Sequence, residues 1–247
     1  MNPAGNTILI TGGGSGIGRE LARRFHDAGN TVIVAGRRRE PLEETIAGRV
    51  AMHAVTLDVE DPAAVTAFAA AVIRDHPALN VLVNNAGIMR IEDIGAARDL
   101  SDAEDTIVTN LLGPIRLSNA FVDHLSGRPD AAIVNVTSGL AFVPLVRTPT
   151  YSATKAALHS YTVALREQLR GRIEVIELAP PAVQTELTPG QSTRNGYLPL
   201  DAFIDEVMAL FGGQPTPPEI LVERVRGFRF AERDGRFDEA VRMVNAM

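Results

Sequence analysis

A short apolar run and a glycine-rich turn meet in the segment Thr7-Ile8-Leu9-Ile10-Thr11-Gly12-Gly13-Gly14-Ser15-Gly16-Ile17-Gly18. The run is rich in β-branched residues and predicts a buried strand over 7–10. Apolar residues at helical spacing follow from Arg19 to Ala28, and Gly29 ends the pattern. A glycine-rich turn between strand and helix lets the backbone approach a pyrophosphate, which then meets free N–H groups at the helix N-terminus. The segment therefore predicts a dinucleotide-binding unit.

A second apolar run, 31–35, completes a β-α-β unit and leads into Gly36-Arg37-Arg38-Arg39. A carboxylate about 20 residues past the glycines would bind the ribose 2′-OH of NAD. The first acidic residue here is Glu40, whereas the planar guanidinium groups before it suit a 2′-phosphate. We therefore expect Arg37 and Arg38 to favour NADP(H). The alternative is a solvated basic turn before the next helix.

Predicted strands and helices alternate along the rest of the chain. Aspartate followed by proline at 61–62 is a typical helix start. This alternation predicts an α/β fold of the Rossmann type, a doubly wound parallel sheet of about seven strands with helices on both faces. Further strands are predicted within 50–59 and at 80–83, 131–137, 173–178 and 220–222, and helices at 41–47, from 62, at 101–125, from 151, at 200–210 and in the tail 224–247.

Bulk composition limits the possible function classes. The chain has 247 residues, a net charge of −6 and no cysteine. The charge disfavours nucleic acid or an anionic membrane as the main partner, and the lack of cysteine excludes disulfides, thiolate metal sites and cysteine nucleophiles. The histidines show no metal-ligand spacing, so no metal site is expected.

The chain shows no signal peptide and no apolar run of about 20 residues that would span a membrane. We therefore expect a cytoplasmic protein. No boundary or internal repeat is visible, which predicts one dinucleotide-binding and catalytic domain over 1–247.

The segment Tyr151-Ser152-Ala153-Thr154-Lys155 carries the strongest catalytic signal. In a helix, residues four apart lie on one face, about one turn apart. A neighbouring ammonium would lower the phenol pKa and make Tyr151 a usable acid or base. Ser138 ends the strand predicted at 131–137 and would hold the same substrate oxygen. The alternative is an amphipathic helix with one exposed lysine.

Two loops are candidates for binding a substrate. The loop 139–150 is apolar, so it would either line a pocket or cover the core. The polar segment from Pro189 to Tyr197 suits a lid, for which we expect bounds of about 188–213, or a plain surface loop. A mainly apolar pocket would favour a lipophilic ketone or aldehyde. The candidate lining residues are Leu140, Phe142, Val143, Val146, Leu187 and Tyr197.

Taken together, these motifs resemble the classical short-chain dehydrogenase/reductase family over nearly the whole chain. The matching pieces occur in family order and at family distances. They are Thr-Gly-x-x-x-Gly-x-Gly at 11–18, Asp58, Asn84-Asn85-Ala86-Gly87, Asn110, Ser138 and Tyr151-x-x-x-Lys155.

The resemblance implies catalytic roles for four of these residues. Tyr151 would be the general acid/base, and Lys155 would lower its pKa and bind the nicotinamide ribose. Ser138 would hold the substrate oxygen, and Asn110 would distort its helix and support a water-mediated proton relay. The resemblance also implies that hydride moves between the nicotinamide and the carbon that bears the oxygen.

The same resemblance, together with the two arginines, implies an NADP(H) site that extends from the glycine-rich turn to the segment after the sixth strand. Its expected residues are Gly12, Gly14, Ser15, Gly16, Ile17, Gly18, Arg37, Arg38, Asp58, Val59, Asn85, Ala86, Gly87, Tyr151, Lys155, Pro180, Val183 and Thr185.

Two departures from the family pattern point to a subgroup. Pro180-Pro181 stands where Pro-Gly is usual, and the usual Asp-Gly-Gly near the C-terminus is missing. Both resemble the DltE-like oxidoreductases. Because the C-terminus is altered, we expect a homodimer packed through the helices of Asn110 and Tyr151, with a homotetramer as the alternative.

Two functions remain open from the sequence. The first is an NADP(H)-dependent oxidoreductase acting on a carbonyl/alcohol pair. The second is a non-catalytic NADP(H)-binding regulator on the same fold, for which loss of Tyr151 or Lys155 would be typical; both are present.

Overall fold

In the computed structural model, which describes residues 1–246, seven strands form a single sheet. They are β1 (Thr7–Thr11), β2 (Thr31–Gly36), β3 (Met52–Thr56), β4 (Val81–Asn84), β5 (Ala132–Val136), β6 (Glu174–Leu178) and β7 (Glu219–Ile220). Neighbouring strands are parallel and lie in the order β3-β2-β1-β4-β5-β6-β7. The order reverses between β1 and β4, and a crevice forms there at the carboxyl ends of the strands. The predicted Rossmann-type fold is confirmed.

Helices connect the strands. They are α1 (Gly16–Asp27), α2 (Arg39–Ile46), α3 (Pro62–Asp75), α4 (Ser101–Ile107), α5 (Gly113–Ser126), α6 (Pro149–Gln168), α7 (Leu200–Gly212), α8 (Glu223–Arg229) and α9 (Phe237–Asn245). As predicted, Asp61 caps α3, because its side chain accepts from the N–H groups of Ala63 at 2.8 Å and Ala64 at 3.2 Å. The single helix predicted over 101–125 is instead α4 and α5 joined by a π-helical turn, Val108–Leu112.

The sheet is buried on both faces because its strands alternate between two apolar layers. On one face, Ile8 and Ile10 pack with α1 and α7, where the rings of Phe25 and Phe211 lie 5.4 Å apart. On the other face, Leu9 packs with α3 and α5. The central strands β4 and β5 are buried throughout, as expected for a parallel sheet covered on both faces.

The C-terminal part of the chain packs against the loop that follows β5. The predicted last strand, 220–222, is shorter than expected, with only Glu219–Ile220 paired to β6. The tail is helical as predicted, in α8 and α9, while Met247 lies outside the described residues. No helix in the described part of the chain is long and apolar enough to cross a membrane.

Candidate active site

The glycine-rich turn after β1 packs directly on the chain that follows β4. Gly12 has φ +67, and a Cβ on it would lie 2.9 Å from the Ala86 Cα. A Cβ on Gly18 would lie 2.4 Å from both the Gly12 carbonyl oxygen and the Asn85 Nδ2 atom. The Asn85 amide donates to the carbonyl of Thr11 at 2.9 Å. The missing side chains therefore let the two loops come together, which brings backbone groups to the crevice.

A cavity opens beside this contact, at the carboxyl ends of β1, β2 and β4. The N-terminus of α1 faces it through Ser15, whose side chain makes no cap hydrogen bond, so the first N–H groups of the helix have no side-chain acceptor. Such a helix end favours a pyrophosphate. The cavity thus fits the adenosine and pyrophosphate of a dinucleotide. Its lining residues are Thr11, Gly12, Gly14, Ser15, Ala35, Gly36, Arg37, Arg38, Pro41, Leu42, Leu57, Val59, Glu60, Ala86, Gly87, Ile88 and Thr109.

Eight of the predicted cofactor residues line this cavity, and the others support its walls or lie beyond it. The Asp58 carboxylate accepts from the Glu60 N–H at 3.0 Å, and Thr185 packs on Gly16, where a Cβ would be 3.3 Å away. Outside the cavity lining are Gly16, Ile17, Gly18, Asp58, Asn85, Tyr151, Lys155, Pro180, Val183 and Thr185.

The two arginines after β2 line the cavity, and Arg37 already has a partner. Its Nη1 donates to the Glu60 carboxylate at 3.2 Å, and the Thr109 hydroxyl donates to the same oxygen at 2.7 Å. Neither Glu60 nor Thr109 was predicted from the sequence. The only signals were that Glu60 follows Asp58-Val59 and that Thr109 precedes Asn110.

Asn110 lies fully buried in the π-helical turn. Its side-chain oxygen accepts from the N–H of Ile88 at 2.9 Å, and its amide donates to the carbonyl of the same residue at 2.8 Å. The expected distortion of the helix at Asn110 is therefore present. Both ends of this side chain fix the chain that leaves β4.

Tyr151 and Lys155 lie in the first turns of α6, and Ser138 lies two residues after the end of β5. All three side chains are buried. The Lys155 ammonium donates to the carbonyl of Val136 at 2.9 Å, and its Nζ lies 5.6 Å from the centre of the Tyr151 ring. The Ser138 hydroxyl hydrogen-bonds the Tyr151 side chain and accepts from the N–H of Leu140 at 3.1 Å. The fold therefore brings the predicted residues together.

The expected lowering of the tyrosine pKa is not what the structure shows. Burial raises the pKa of Tyr151 to about 12, and the hydrogen bond from Ser138 acts in the opposite direction. Burial also lowers the pKa of Lys155 to about 8. The prediction was wrong because it considered the neighbouring ammonium and left out the loss of water around both groups.

Gly87 joins the cavity to this buried group. It lines the cavity, and a Cβ on it would lie 3.2 Å from the Asn110 side-chain oxygen and 3.7 Å from the Lys155 Nζ. The cavity and the catalytic candidates therefore adjoin each other at Gly87.

The apolar loop 139–150 mainly covers the core. Val143 is fully buried and packs with α8 and α9, in a cluster that Leu140 and Phe142 also join. The interpretation of Val143 as a pocket residue was wrong, because the C-terminal helices cover it. Val146 and Leu187 remain exposed, by 62% and 37%.

Comparison with known proteins assigns this site to a family. The family model for short chain dehydrogenases matches residues 6–196. The chain belongs to the short-chain dehydrogenase/reductase family. It is 43% identical over 237 residues to the uncharacterized oxidoreductase DltE of Bacillus subtilis (strain 168), across 94% of each chain. The resemblance to DltE-like members of this family is confirmed.

Two other similar proteins are informative. Sulfoacetaldehyde reductase 2 of Chromohalobacter salexigens is 36% identical over 186 residues, covering 73% of this chain and 74% of that one. The crystal structure of a short chain dehydrogenase from Burkholderia cenocepacia J2315 in complex with NADP matches with a TM-score of 0.81 and 25% identity, over 98% of this chain and 99% of that one. This chain is therefore an oxidoreductase, a dehydrogenase/reductase acting on a small-molecule substrate.

Proposed function

We propose that this protein is an NADP(H)-dependent oxidoreductase that interconverts a carbonyl and an alcohol on an apolar small molecule. The observation that carries the proposal is the position of Gly87, which lines the dinucleotide cavity and lies beside both Asn110 and Lys155. A cofactor in the cavity would extend past Gly87 towards the buried tyrosine. A regulator that only binds a nucleotide would not require this continuity.

In the proposed mechanism, each buried side chain has one task. Tyr151 gives its proton to the carbonyl oxygen during reduction and takes it back during oxidation. Its raised pKa keeps the phenol protonated and suits the reductive direction. Ser138 hydrogen-bonds the same oxygen and orients it. The nicotinamide supplies or accepts the hydride.

Lys155 and Asn110 would hold the nicotinamide ribose and the chain after β4, and would supply protons through a relay. The Lys155 ammonium is fixed on the carbonyl of Val136 and lies next to Gly87, where the nicotinamide ribose would pass. Its pKa of about 8 leaves it able to exchange a proton near neutrality. Asn110 keeps the chain after β4 in place through Ile88 and, with Lys155, would hold the water of a proton relay.

The preference for the phosphorylated cofactor rests on Arg37 and Arg38. Both line the cavity at the end of β2, where the adenosine ribose would lie, and guanidinium groups bind phosphate through paired hydrogen bonds. The structural relative in complex with NADP supports the same assignment. At the other end, we assign Pro180, Val183 and Thr185 to the nicotinamide half of the cofactor.

We also propose that the segment 188–213 acts as a substrate lid. Its second part is held, because Phe203 and Phe211 of α7 are buried in the core. Its first part is held by hydrogen bonds, since the buried Gln191 amide donates to the carbonyl of Val183 at 2.8 Å and Val183 forms an isolated bridge with Leu198. Movement would concentrate before α7, and the exposed apolar side chains of Leu187 and Val146 would meet an apolar substrate as the lid closes.

For the assembly we propose a homodimer packed through α4, α5 and α6. Apolar side chains are exposed on two of these helices, with Ile107 of α4 41% and Val163 of α6 42% exposed. Light scattering coupled to size-exclusion chromatography tests this. A Val163→Lys variant that runs as a monomer is the expected outcome, and a wild-type monomer would contradict the proposal.

Cofactor titration tests the proposed function first. NADPH and NADH are titrated against the wild type and the variants Arg37→Ala, Arg38→Ala and Arg39→Ala. The last is a matched control, because Arg39 pairs with Glu43 at 2.7 Å and does not line the cavity. Each of the first two should weaken NADPH binding about tenfold and leave NADH unchanged, since a charged hydrogen bond contributes about 1.5–3 kcal/mol. Equal binding of both cofactors would refute the preference for NADP(H). Binding of neither cofactor would refute the proposed oxidoreductase function.

A panel of carbonyl compounds tests the substrate class. We expect benzaldehyde and octanal to be reduced faster, by kcat/KM, than glyceraldehyde or sulfoacetaldehyde, the compound after which one relative is named. Faster turnover of the small polar compounds would show that the exposed apolar side chains do not select the substrate.

A further inference from the structure

We propose that Glu177 and His159 form a positioning pair. The pair holds the segment that leads from β5 to Ser138 against α6, the helix that carries Tyr151. The inference rests on the proposed function and adds two residues to it. Glu177 is fully buried on β6, and His159 lies on α6, one turn beyond Lys155. Neither residue has a role in the proton transfer described above.

Glu177 connects three elements through its two carboxylate oxygens. One oxygen accepts from the hydroxyl of Thr137 at 2.7 Å, and the other lies 2.7 Å from the Nδ1 atom of His159. Thr137 is the residue directly before Ser138. A carboxylate with no exposure requires such partners, so each bond fixes its donor strongly.

The end of β5 is thus held at two consecutive residues from the same helix. Lys155 binds the carbonyl of Val136 directly, at 2.9 Å. His159, one turn later, holds Thr137 through Glu177. Ser138 comes next, with both preceding residues tied to the helix that carries Tyr151. The distance between the serine and tyrosine hydroxyls is then set by this double connection.

A neighbouring ion pair lies beside the buried carboxylate of Glu177. Glu219 lies opposite Glu177 in the parallel register of β6 and β7. Both carboxylate oxygens of Glu219 accept from Arg229 of α8, at 2.8 and 2.9 Å. The guanidinium lies 5.1 Å from the ring of Phe142, which in turn packs edge-on against His159. The pair is therefore closed off on its outer side by the C-terminal part of the chain.

The same three side chains would also offer ligand atoms to a metal ion, since His159, Glu177 and Glu219 lie within 4.8 Å of one another. Two of them already accept hydrogen bonds, because Arg229 donates to both oxygens of Glu219 and Thr137 donates to Glu177. The guanidinium supplies the positive charge that the carboxylates need. The geometry therefore favours a positioning network.

A double-mutant cycle on the Thr137–Glu177 bond tests the pair. Thr137→Val removes the hydroxyl at nearly constant volume, Glu177→Gln removes the charge, and Thr137→Ser is the matched control that keeps the donor. With NADPH and the fastest aldehyde of the panel, each of the first two should lower kcat about tenfold, because small displacements at a reacting centre are costly. The NADPH dissociation constant should stay within about twofold, and the double variant should be no slower than either single one.

A second measurement does not depend on turnover. The chain has three tyrosines, so with tyrosine labelled with ¹³C at Cζ the resonance of Tyr151 is identified by its loss in Tyr151→Phe. Its shift reports the hydrogen bond from Ser138. We expect this resonance to move in Thr137→Val and in Glu177→Gln and to stay in place in Thr137→Ser.

The outcomes separate this inference from the function on which it rests. A wild type without NADPH-dependent turnover would refute the proposed function, and the tyrosine resonance would still decide whether the pair positions Ser138. An unmoved resonance in both variants would overturn the inference. So would a kcat loss that multiplies in the double variant, or an equal loss in Thr137→Ser.

Discussion

The two halves of the site are built by different means. On the cofactor side, the loops after β1 and β4 touch through their backbones, and a Cβ on Gly18 would overlap the carbonyl of Gly12. On the substrate side, the loop after β5 is held by side chains from distant parts of the chain, as Val143 is by Val244 and Thr137 by Glu177. The first half tolerates little change in shape. The second allows exchange of side chains, which is how one fold takes different substrates.

The largest expected effect is at the point where the two halves meet. Tyr151→Phe should lower kcat by about 10²–10⁴-fold, since the general acid is removed, and leave NADPH affinity within about threefold. Stopped-flow turnover and fluorescence titration measure the two quantities. A variant that loses both kcat and NADPH affinity would mean that Tyr151 belongs to the cofactor half. The distinction between the two halves of the site would then fail.

The second effect concerns the contribution of the buried Lys155 to the free energy of unfolding. Because the pKa of Lys155 falls from 10.5 to about 8 on burial, the unfolded chain binds more protons between these pH values. Stability arising from this group therefore rises with pH across that window. Lys155→Met should be stabilised relative to the wild type at pH 7, by up to about 3 kcal/mol, and this advantage should vanish towards pH 10.5.

Urea unfolding of both proteins at a series of pH values measures this difference. The variant also leaves the carbonyl of Val136 without its donor, but that cost does not depend on pH. A stability difference that is constant between pH 7 and 10 would contradict the assigned burial.

A third effect separates the glycines of the cofactor half from an open glycine elsewhere. Gly18→Ala should destabilise the protein by about 1–3 kcal/mol and weaken NADPH binding, because its Cβ would overlap backbone. Gly227→Ala is the control, since a Cβ on this helical glycine meets nothing within 4 Å. Thermal unfolding of both variants, with and without NADPH, measures the loss of stability and the weaker binding. Equal behaviour of the two variants would show that the loop contact is not restrictive.

The smallest effect concerns the substrate half. Val143→Ala should lower the free energy of unfolding by about 1–2 kcal/mol, because a buried side chain is shortened. Val146→Ala, at an exposed position of the same loop, should change it by less than about 0.5 kcal/mol and act instead on KM for apolar aldehydes. If Val143→Ala changed KM alone, the loop would line the pocket, which is one of the two alternatives that the sequence left open.

The cofactor half was largely predictable because its signals are local. The glycines, the strand before them and the arginines after β2 all lie within about one β-α-β unit, where spacing predicts geometry. The placement of Tyr151 and Lys155 on one face of a helix followed from their spacing. The seven-stranded fold followed from the alternation of strands and helices.

The remaining features depend on contacts that spacing does not reveal. The burial of Val143 comes from helices about 90–100 residues later in the chain, and long-range packing of this kind has no local pattern. The raised pKa of Tyr151 comes from loss of water, which a motif does not show. Glu60 and Glu177 stand among ordinary strand and loop residues, and only the assembled sheet shows what each one binds.

Transfer of deuterium from the cofactor to the product tests the central claim that cavity and buried tyrosine form one site. The wild type is incubated with octanal and NADPH carrying two deuterium atoms at C4 of the reduced nicotinamide, and the alcohol is analysed by mass spectrometry. The account predicts an alcohol with deuterium on its carbon, formed far more slowly by Tyr151→Phe. Alcohol that carries no deuterium, or that forms at the same rate in the variant, would contradict it.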